Sequence, residues 1–480
     1  MTVTLKTNLA TTGKPSHWIG GNGMRFSELH LPDAPKIVAT PPGPRSREAL
    51  AAQEEFESSV VSYPKAIPLA FEEGKGATLR DFDGNVYIDF FGGAGVLAVG
   101  HSNPEVLEAV SKQERLLIHA LDFPTKPKLE LIKKLCEVAP GDLRGNAKVF
   151  FGGPTGSDAV EAAVKLAKVV TGRRGLLAFE GAYHGMTSGA LSLSSGKKFK
   201  ENYTPLLPEV HFAPYAYCYR CVFGREYPGC GLECAHYVEH LLDDPHSGIV
   251  DPAAIVVEAV QGEGGSIPPP GEYITELRRI ASAYAIPLII DEIQAGLGRT
   301  GKMFACEHSN TTPDIMTISK AIGGIGFALS ACMCRKEFDK WTSGGHIGTF
   351  RGQCVSMAAG LAALNFIERN DLPKHAAELG KRMLKRLQEL EEESKYIGDA
   401  RGRGLMIGIE FVRDKKTKKP ADDIAREVRK RCYMKGLIIE MGGHYDNVAR
   451  FLPPLVLTEE LADRGIAIFR EAVKETEKTV

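Results

Sequence analysis

Asp291 and Lys320 carry the chemistry that this chain most plainly advertises. The run Ile286-Pro-Leu-Ile-Ile-Asp-Glu-Ile-Gln294 reads as a buried strand closing on an aspartate, and Ile315-Met-Thr-Ile-Ser-Lys320 ends in a lysine 29 residues later. Pyridoxal phosphate needs such a pair: an amine for its aldehyde and a carboxylate for its pyridinium nitrogen. In an open α/β sheet both belong at strand C-termini, where ligands collect. Gly296-Leu-Gly-Arg-Thr-Gly301 after the aspartate, and Gly323-Gly324 after the lysine, let backbone run close to a bound group.

The same glycine run spells G-x-G-x-x-G. A dinucleotide fingerprint opens a helix and places an acid at the end of the next strand. Here Asp314 precedes its strand, so the dinucleotide reading is set aside. Upstream, Lys148-Val-Phe-Phe151 runs into Gly152-Gly-Pro-Thr-Gly-Ser157 and an Ala- and Val-rich helix over 158–170. A glycine turn feeding a helix N-terminus presents free N–H groups and a positive dipole end to a phosphate, although Thr155 or Ser157 can equally serve as an ordinary cap. Phe179-Glu-Gly-Ala-Tyr-His-Gly185 follows another strand. Its Tyr183 offers a flat face for a pyridine ring, and His184 reads as a buried, hydrogen-bonded histidine rather than a base.

Alternating helices and apolar strands must hold these groups. Strands are expected at 148–151, 175–179, 254–258, 288–291 and 315–318, which predicts a mostly parallel, doubly wound sheet. Before it, residues 47–57 have helical periodicity and 78–89 read as a hairpin turning at Asp83-Gly84-Asn85. After it come a long helix, a charged helix over 378–395, and strands near 405–412 and 437–440. The division is an N-terminal arm over 1–46, part of a small α+β domain over 47–103, a large cofactor-binding domain over 104–345, and the rest of the small domain over 346–480. The arm, rich in Pro, Gly and Thr, is expected to be extended and to wrap a partner subunit. The charged stretches 389–393 and 413–419 read as solvated surface.

Composition narrows the partners. The chain has 480 residues, 59 basic and 60 acidic, for a net charge of -1, which leaves no electrostatic footprint for nucleic acid or an anionic membrane. The N-terminus lacks a signal-peptide pattern and no window is apolar enough to span a bilayer, so a soluble, cytoplasmic protein acting on small molecules is expected. Six of the ten cysteines are dispersed and read as reduced core thiols. Cys218, Cys221, Cys230 and Cys234 form a C-x2-C-x8-C-x3-C cluster, whose spacing suits either a structural zinc or free thiols packed on nearby tyrosines. No catalytic metal is called for.

Taken in order, Glu258-Ala-Val-Gln-Gly-Glu-Gly-Gly265, Asp291-Glu-Ile-Gln-Ala-Gly-Leu-Gly-Arg-Thr-Gly301 and Thr317-Ile-Ser-Lys320-Ala-Ile-Gly-Gly324 resemble the class III pyridoxal-phosphate aminotransferases, the family of the ornithine, 4-aminobutyrate and diaminobutyrate enzymes. The resemblance covers roughly residues 55 to 470 and implies fold type I. It implies that Lys320 forms the Schiff base, Asp291 meets the ring nitrogen, Gln294 the phenolic oxygen, and Gly156 with Ser157 the phosphate. Tyr183 and His184 would lie by the ring, with Glu258 in the same cofactor site. Thr349 would reach the phosphate of a neighbouring subunit, making a homodimer or a dimer of dimers. Glu263 and Arg450 match a pair that alternates between an ion pair and gripping a substrate carboxylate. Met186 stands where the 4-aminobutyrate enzymes place an arginine, and diaminobutyrate enzymes are the better match there. The implied reaction moves an amino group from an ω-amino or diamino acid to a 2-oxo acid such as 2-oxoglutarate by a ping-pong route through pyridoxamine phosphate. The alternative is an amino-acid racemase of the same family.

Overall fold

A computed structural model describes residues 25–480. Three short strands come first: β1 (Phe71–Lys75), β2 (Thr78–Asp81) and β3 (Val86–Asp89). Seven follow: β4 (Ala147–Phe150), β5 (Leu176–Phe179), β6 (Val210–Ala213), β7 (Ala254–Glu258), β8 (Leu288–Asp291), β9 (Ile315–Ile318) and β10 (Ala331–Arg335). The C-terminal part holds β11 (Ile397–Arg403), β12 (Met406–Asp414), β13 (Lys419–Pro420), β14 (Leu437–Ile438), β15 (Glu440–Gly442) and β16 (Val448–Phe451).

The seven central strands form one sheet in the order β4-β10-β9-β8-β7-β5-β6. All its pairings are parallel except those of β10, which runs antiparallel to β4 and β9. β7, β8 and β9 are buried at every position, because helices cover both faces and a strand so placed must be apolar throughout. The expected α/β architecture therefore stands, with β6 and β10 added to the strands foreseen. Register puts Glu258 opposite Asp291, and Asp291 opposite Thr317, so three polar strand ends line up across β7, β8 and β9.

The hairpin expected at Asp83-Gly84-Asn85 is present as β2 and β3. Expectation and structure also part company at two elements of the C-terminal part. The charged helix spans Leu372–Glu393, beginning six residues before the expected start, because Leu372, Ala376, Leu379, Met383, Leu387 and Leu390 form a buried stripe at helical spacing. The strand foreseen at 437–440 is two: β14 pairs in parallel with β3, whereas β15 joins the antiparallel C-terminal sheet β11-β12-β16-β15. Residues 437–442 thus tie the two smaller sheets together.

The second half of the expected arm packs against the chain's own core. Phe26, Leu29, Leu31 and Ala34 are buried, the Phe26 ring meets His375 edge-on at 5.4 Å, and the Leu31 N–H donates to Thr78 Oγ1 at 2.8 Å. Apolar side chains at these positions gain more from the chain's own core than from solvent. Residues 1–24 of the arm lie outside the described residues. Among the described residues no helix is long and apolar enough to cross a membrane.

One glycine contact fixes how the long C-terminal helix sits. A Cβ on Gly380 would stand 1.9 Å from the carbonyl oxygen of Gly404, whose own φ is +55°. Gly380→Ala is therefore expected to lower unfolding stability by about 1–3 kcal/mol, the usual cost of overpacking, measured from the denaturant midpoint. An unchanged midpoint would show that the helix can slide off that turn freely.

Candidate active site

The line of polar strand ends is the floor of the site. Asp291 is 4% exposed; its Oδ1 accepts from Thr317 Oγ1 at 3.0 Å and from the Ile293 N–H at 3.0 Å. Its Oδ2 lies 2.7 Å from Nδ1 of the buried His184. Burial works against charge on that imidazole, but the Asp291 and Glu258 carboxylates outweigh it and hold its pKa above the ordinary value. The ring nitrogen Nε2 of His184 is buried without a partner.

Glu258 shapes the two turns above this floor. Its Oε1 accepts from the Tyr183 N–H at 3.1 Å and its Oε2 from the Gly262 N–H at 2.8 Å. Burial pushes its carboxyl up to about 7, with the nearby Asp291 charge adding to the shift and His184 opposing it. The Tyr183 ring is held edge-on by Phe199 at 5.1 Å.

Lys320 lies just past β9 in a backbone conformation with φ of +47°, a region that side-chain-bearing residues rarely adopt. Such strain persists where surrounding structure imposes it, and functional sites are where it concentrates. Its Nζ donates to the Ala94 carbonyl at 3.1 Å, the same oxygen that accepts from Gln294 Nε2 at 3.1 Å. Burial lowers the pKa of the lysine; Glu440 is the charge that most opposes this, while Arg450 adds to it. The free amine is thereby made more accessible near neutrality than on a solvated lysine.

At the far side, the 16-residue helix Gly156–Thr171 points its N-terminus out of the turn after β4. The Thr155 N–H is taken by the Asp158 carboxylate at 2.8 Å, and Ser157 Oγ accepts from the Met186 N–H at 3.2 Å. The N–H groups of Gly156 and Ser157 form the first turn of this long helix, the position where anions bind. An enclosed amine, a buried carboxylate and a helix N-terminus correspond to the aldehyde, ring nitrogen and phosphate of pyridoxal phosphate, so the residues present fit that group.

Arg450 closes the site from β16. It is fully buried, with Nη2 2.7 Å from Glu263 Oε2 and 2.6 Å from Glu440 Oε2, and Nη1 donating to Gln294 Oε1 at 3.3 Å. The expected partners Glu263 and Arg450 are in contact, and Glu440 is a third member that sequence reading missed. Its only signal is positional: β15 and β16 pair Glu440 directly with Arg450, a register that depends on the length of the connecting loop. Thr317 and the Ala94 carbonyl were missed likewise. Thr349 is exposed on this chain, while a Cβ on the neighbouring Gly348 would stand 3.2 Å from the Gly152 carbonyl of the helix-entry turn.

The cysteine cluster lies elsewhere. Cys218, Cys221, Cys230 and Cys234 line one small cavity with Tyr215 and Tyr217, and none is in a disulfide. Among the described residues, the group of three or more metal-capable side chains whose ligand atoms all lie within 4.8 Å of one another is His236, Glu239 and Glu276. The four thiols share that cavity without three of their sulfurs lying within 4.8 Å of one another.

Comparison with known proteins gives the site its context. The family model for class III aminotransferases matches residues 61–473. A diaminobutyrate–2-oxoglutarate aminotransferase of Rhizobium meliloti is 43% identical over 423 residues, which are 86% of this chain and 90% of that protein. An alanine/serine racemase of Pyrococcus horikoshii is 38% identical over 459 residues, 94% of each. An aminotransferase of Bacillus anthracis superposes with a TM-score of 0.81 at 28% identity, covering 90% of this chain and 99% of that one. The matched span contains Lys320, Asp291, the helix N-terminus and the Glu263–Arg450 pair together, and on that basis this chain belongs to the class III aminotransferase family.

Proposed function

We propose that this aminotransferase uses pyridoxal phosphate to move an amino group from an ω-amino or diamino acid, of the diaminobutyrate type, to a 2-oxo acid such as 2-oxoglutarate. The observation that carries this reading is the Arg450–Glu263 contact beside Lys320. An arginine that a carboxylate can cover or release suits one pocket to both an amine end without a carboxylate and an oxo acid with one. When bound, the cofactor supplies an aldehyde that takes up the substrate amine and a ring that accepts electrons as a carbon–hydrogen bond breaks.

The chain's own residues do the rest. Gly156 and Ser157 would hold the phosphate, Tyr183 would cover the ring, Gln294 would meet the phenolic oxygen, and Asp291, steadied by His184 and Thr317, would keep the ring nitrogen protonated. Glu258 fixes the turns that carry Tyr183 and Gly262. Lys320, its amine favoured by burial, would take the proton from the carbon bearing the amine and hand it to the carbon on the other side of that nitrogen.

A homodimer completes this reading, with Thr349 reaching the neighbouring subunit's phosphate. Leu116, Leu117, Ile118, Leu121 and Phe123 are exposed, as are Ile347 and Phe350, and the two segments are joined by the Ala120 N–H to the Gly352 carbonyl at 3.1 Å. An exposed apolar ledge of this kind is a surface that a second copy would cover. The ten unpaired thiols suit a reducing, cytoplasmic setting.

Initial rates measured against diaminobutyrate and 2-oxoglutarate are expected to give parallel double-reciprocal lines, since the deaminated donor departs, its amino group kept on the enzyme, before the oxo acid enters. Intersecting lines would overturn the proposed order. Kinship with the racemase favours a second reading, in which the proton returns to the opposite face of the same carbon and no oxo acid is needed.

A further inference from the structure

A diamino donor brings two ammonium groups, of which only one is transferred. The other stays charged inside the pocket beside the donor's own carboxylate, and a buried protein carboxylate within reach would bind it in preference to an unsubstituted carbon. Arg450 faces two carboxylates, Glu263 at 2.7 Å and Glu440 at 2.6 Å, both on the same Nη2. Lys198 Nζ lies 3.8 Å from Glu263 Oε1, so among the described residues Glu263 has a second cation while Glu440 has only its share of Arg450 as an ion-pair partner.

Glu440 is 7% exposed, and its Oε2, although close to Arg450, receives no directed hydrogen bond. The groups around it come from separate elements: Arg450 on β16, Glu263 in the loop after β7, Lys320 after β9, Lys198 on the short helix Lys197–Lys200, and Tyr63 on the helix Tyr63–Ala66. Arg450 links Glu440 to the pocket: its Nη1 donates to Gln294 Oε1 at 3.3 Å, and Gln294 shares the Ala94 carbonyl with Lys320.

We propose that Glu440 is the binding site for the donor's second, untransferred ammonium group, and that it makes the pocket prefer diamino acids to ω-amino acids with a single amine. The proposal rests on the reading of the donor as a diamino acid. Glu263 remains the group that covers or frees Arg450. Glu440, held on the facing strand, supplies the charge that Arg450 alone does not satisfy. The energetics follow from burial: a carboxylate that shares its one guanidinium with a second carboxylate, in a low-dielectric corner, gains more from an ammonium than one in water does.

Charge on Glu440 depends on pH in the useful range. Burial pushes its carboxyl up to about 7, with Glu263 adding to the shift and Arg450, Lys320 and Lys198 opposing it. Below that value the carboxyl is neutral and attracts an ammonium weakly; above it the carboxylate is formed and binding strengthens.

The test follows the first half-reaction of cofactor-loaded enzyme by absorbance, using 2,4-diaminobutyrate, ornithine and 4-aminobutyrate in turn. For Glu440→Gln, half-saturation by the two diamino acids should rise about 10- to 100-fold, the usual size for a lost hydrogen-bonded charge pair, while 4-aminobutyrate changes less than about 3-fold. Half-saturation by 2-oxoglutarate in the second half-reaction should not rise, because Arg450 keeps Glu263. Glu440→Asp, which keeps the charge, should recover most of the preference. Wild-type enzyme gives a check needing no variant: its half-saturation by diaminobutyrate should fall between about pH 6 and pH 8 more steeply than that by 4-aminobutyrate.

Equal losses for all three donors would make Glu440 a clamp on Arg450 and overturn the proposal. So would no change in Glu440→Gln, or matching pH profiles for the two donor classes in the wild type. If the wild type turns over 4-aminobutyrate but neither diamino acid, the donor reading itself fails, and the ammonium site falls with it.

Discussion

Lys320→Ala should lower turnover by about 10,000-fold, the upper range for loss of a positioned acid–base group, because in the proposed function one amine is both the cofactor's anchor and the proton carrier. The fold should survive, since the side chain makes a single hydrogen bond, from Nζ to the Ala94 carbonyl at 3.1 Å. The variant would still present Asp291, the helix N-terminus and Tyr183, so it should bind pyridoxal phosphate without holding it covalently. Mass spectrometry after borohydride treatment should find cofactor mass on wild-type protein and none on the variant. Cofactor mass fixed to another lysine would refute the assignment. The lowered pKa has a consequence in the intact enzyme. A base must be unprotonated to act, so activity limited by Lys320 rises with pH through its depressed value and levels off earlier than for a solvated lysine.

Asp291→Asn should cost about 100- to 1,000-fold in turnover, comparable with removing one preorganised electrostatic partner. The substitution keeps the shape of the side chain and can keep an acceptor for Thr317 Oγ1, now 3.0 Å away. It removes the charge. His184, buried 2.7 Å from the lost carboxylate oxygen, would then be left with burial as its largest influence and only Glu258 to oppose it. Its pKa should fall below the ordinary value, a change that histidine NMR would register independently of activity. Retention of a raised His184 pKa together with full activity would mean that the carboxylate neither tunes the imidazole nor supports the ring.

Asp291 and Lys320 were legible in the sequence for a physical reason. Strands buried on both faces must be apolar throughout, so a charged residue closing Leu-Ile-Ile or following Ile-Met-Thr-Ile stands out. The glycine turn before Ser157 was legible because it interrupts a strand and precedes a helix. β6, four residues long at the edge of the sheet, and β10, Ala-Cys-Met-Cys-Arg, carry too weak a pattern to separate from loops. Glu440 was invisible for another reason. Its contact with Arg450 is set by strand register across a loop containing Gly443 at φ +91°, and register does not show in composition. Phe26, Leu29 and Leu31 were masked by the Pro and Gly around them, and only packing reveals that they seal the core. The four-cysteine spacing is the opposite case, in which a pattern clear in sequence is not met by converged ligand atoms.

The most direct test of the account incubates cofactor-loaded enzyme with single amino acids and no oxo acid, following both the visible absorbance of the cofactor and the chirality of the recovered amino acid. Diaminobutyrate should convert the cofactor stoichiometrically to its amine form and stop there, with the remaining substrate optically pure, until 2-oxoglutarate restores the starting spectrum. Catalytic loss of optical purity without that conversion would contradict the account and make the protein a racemase.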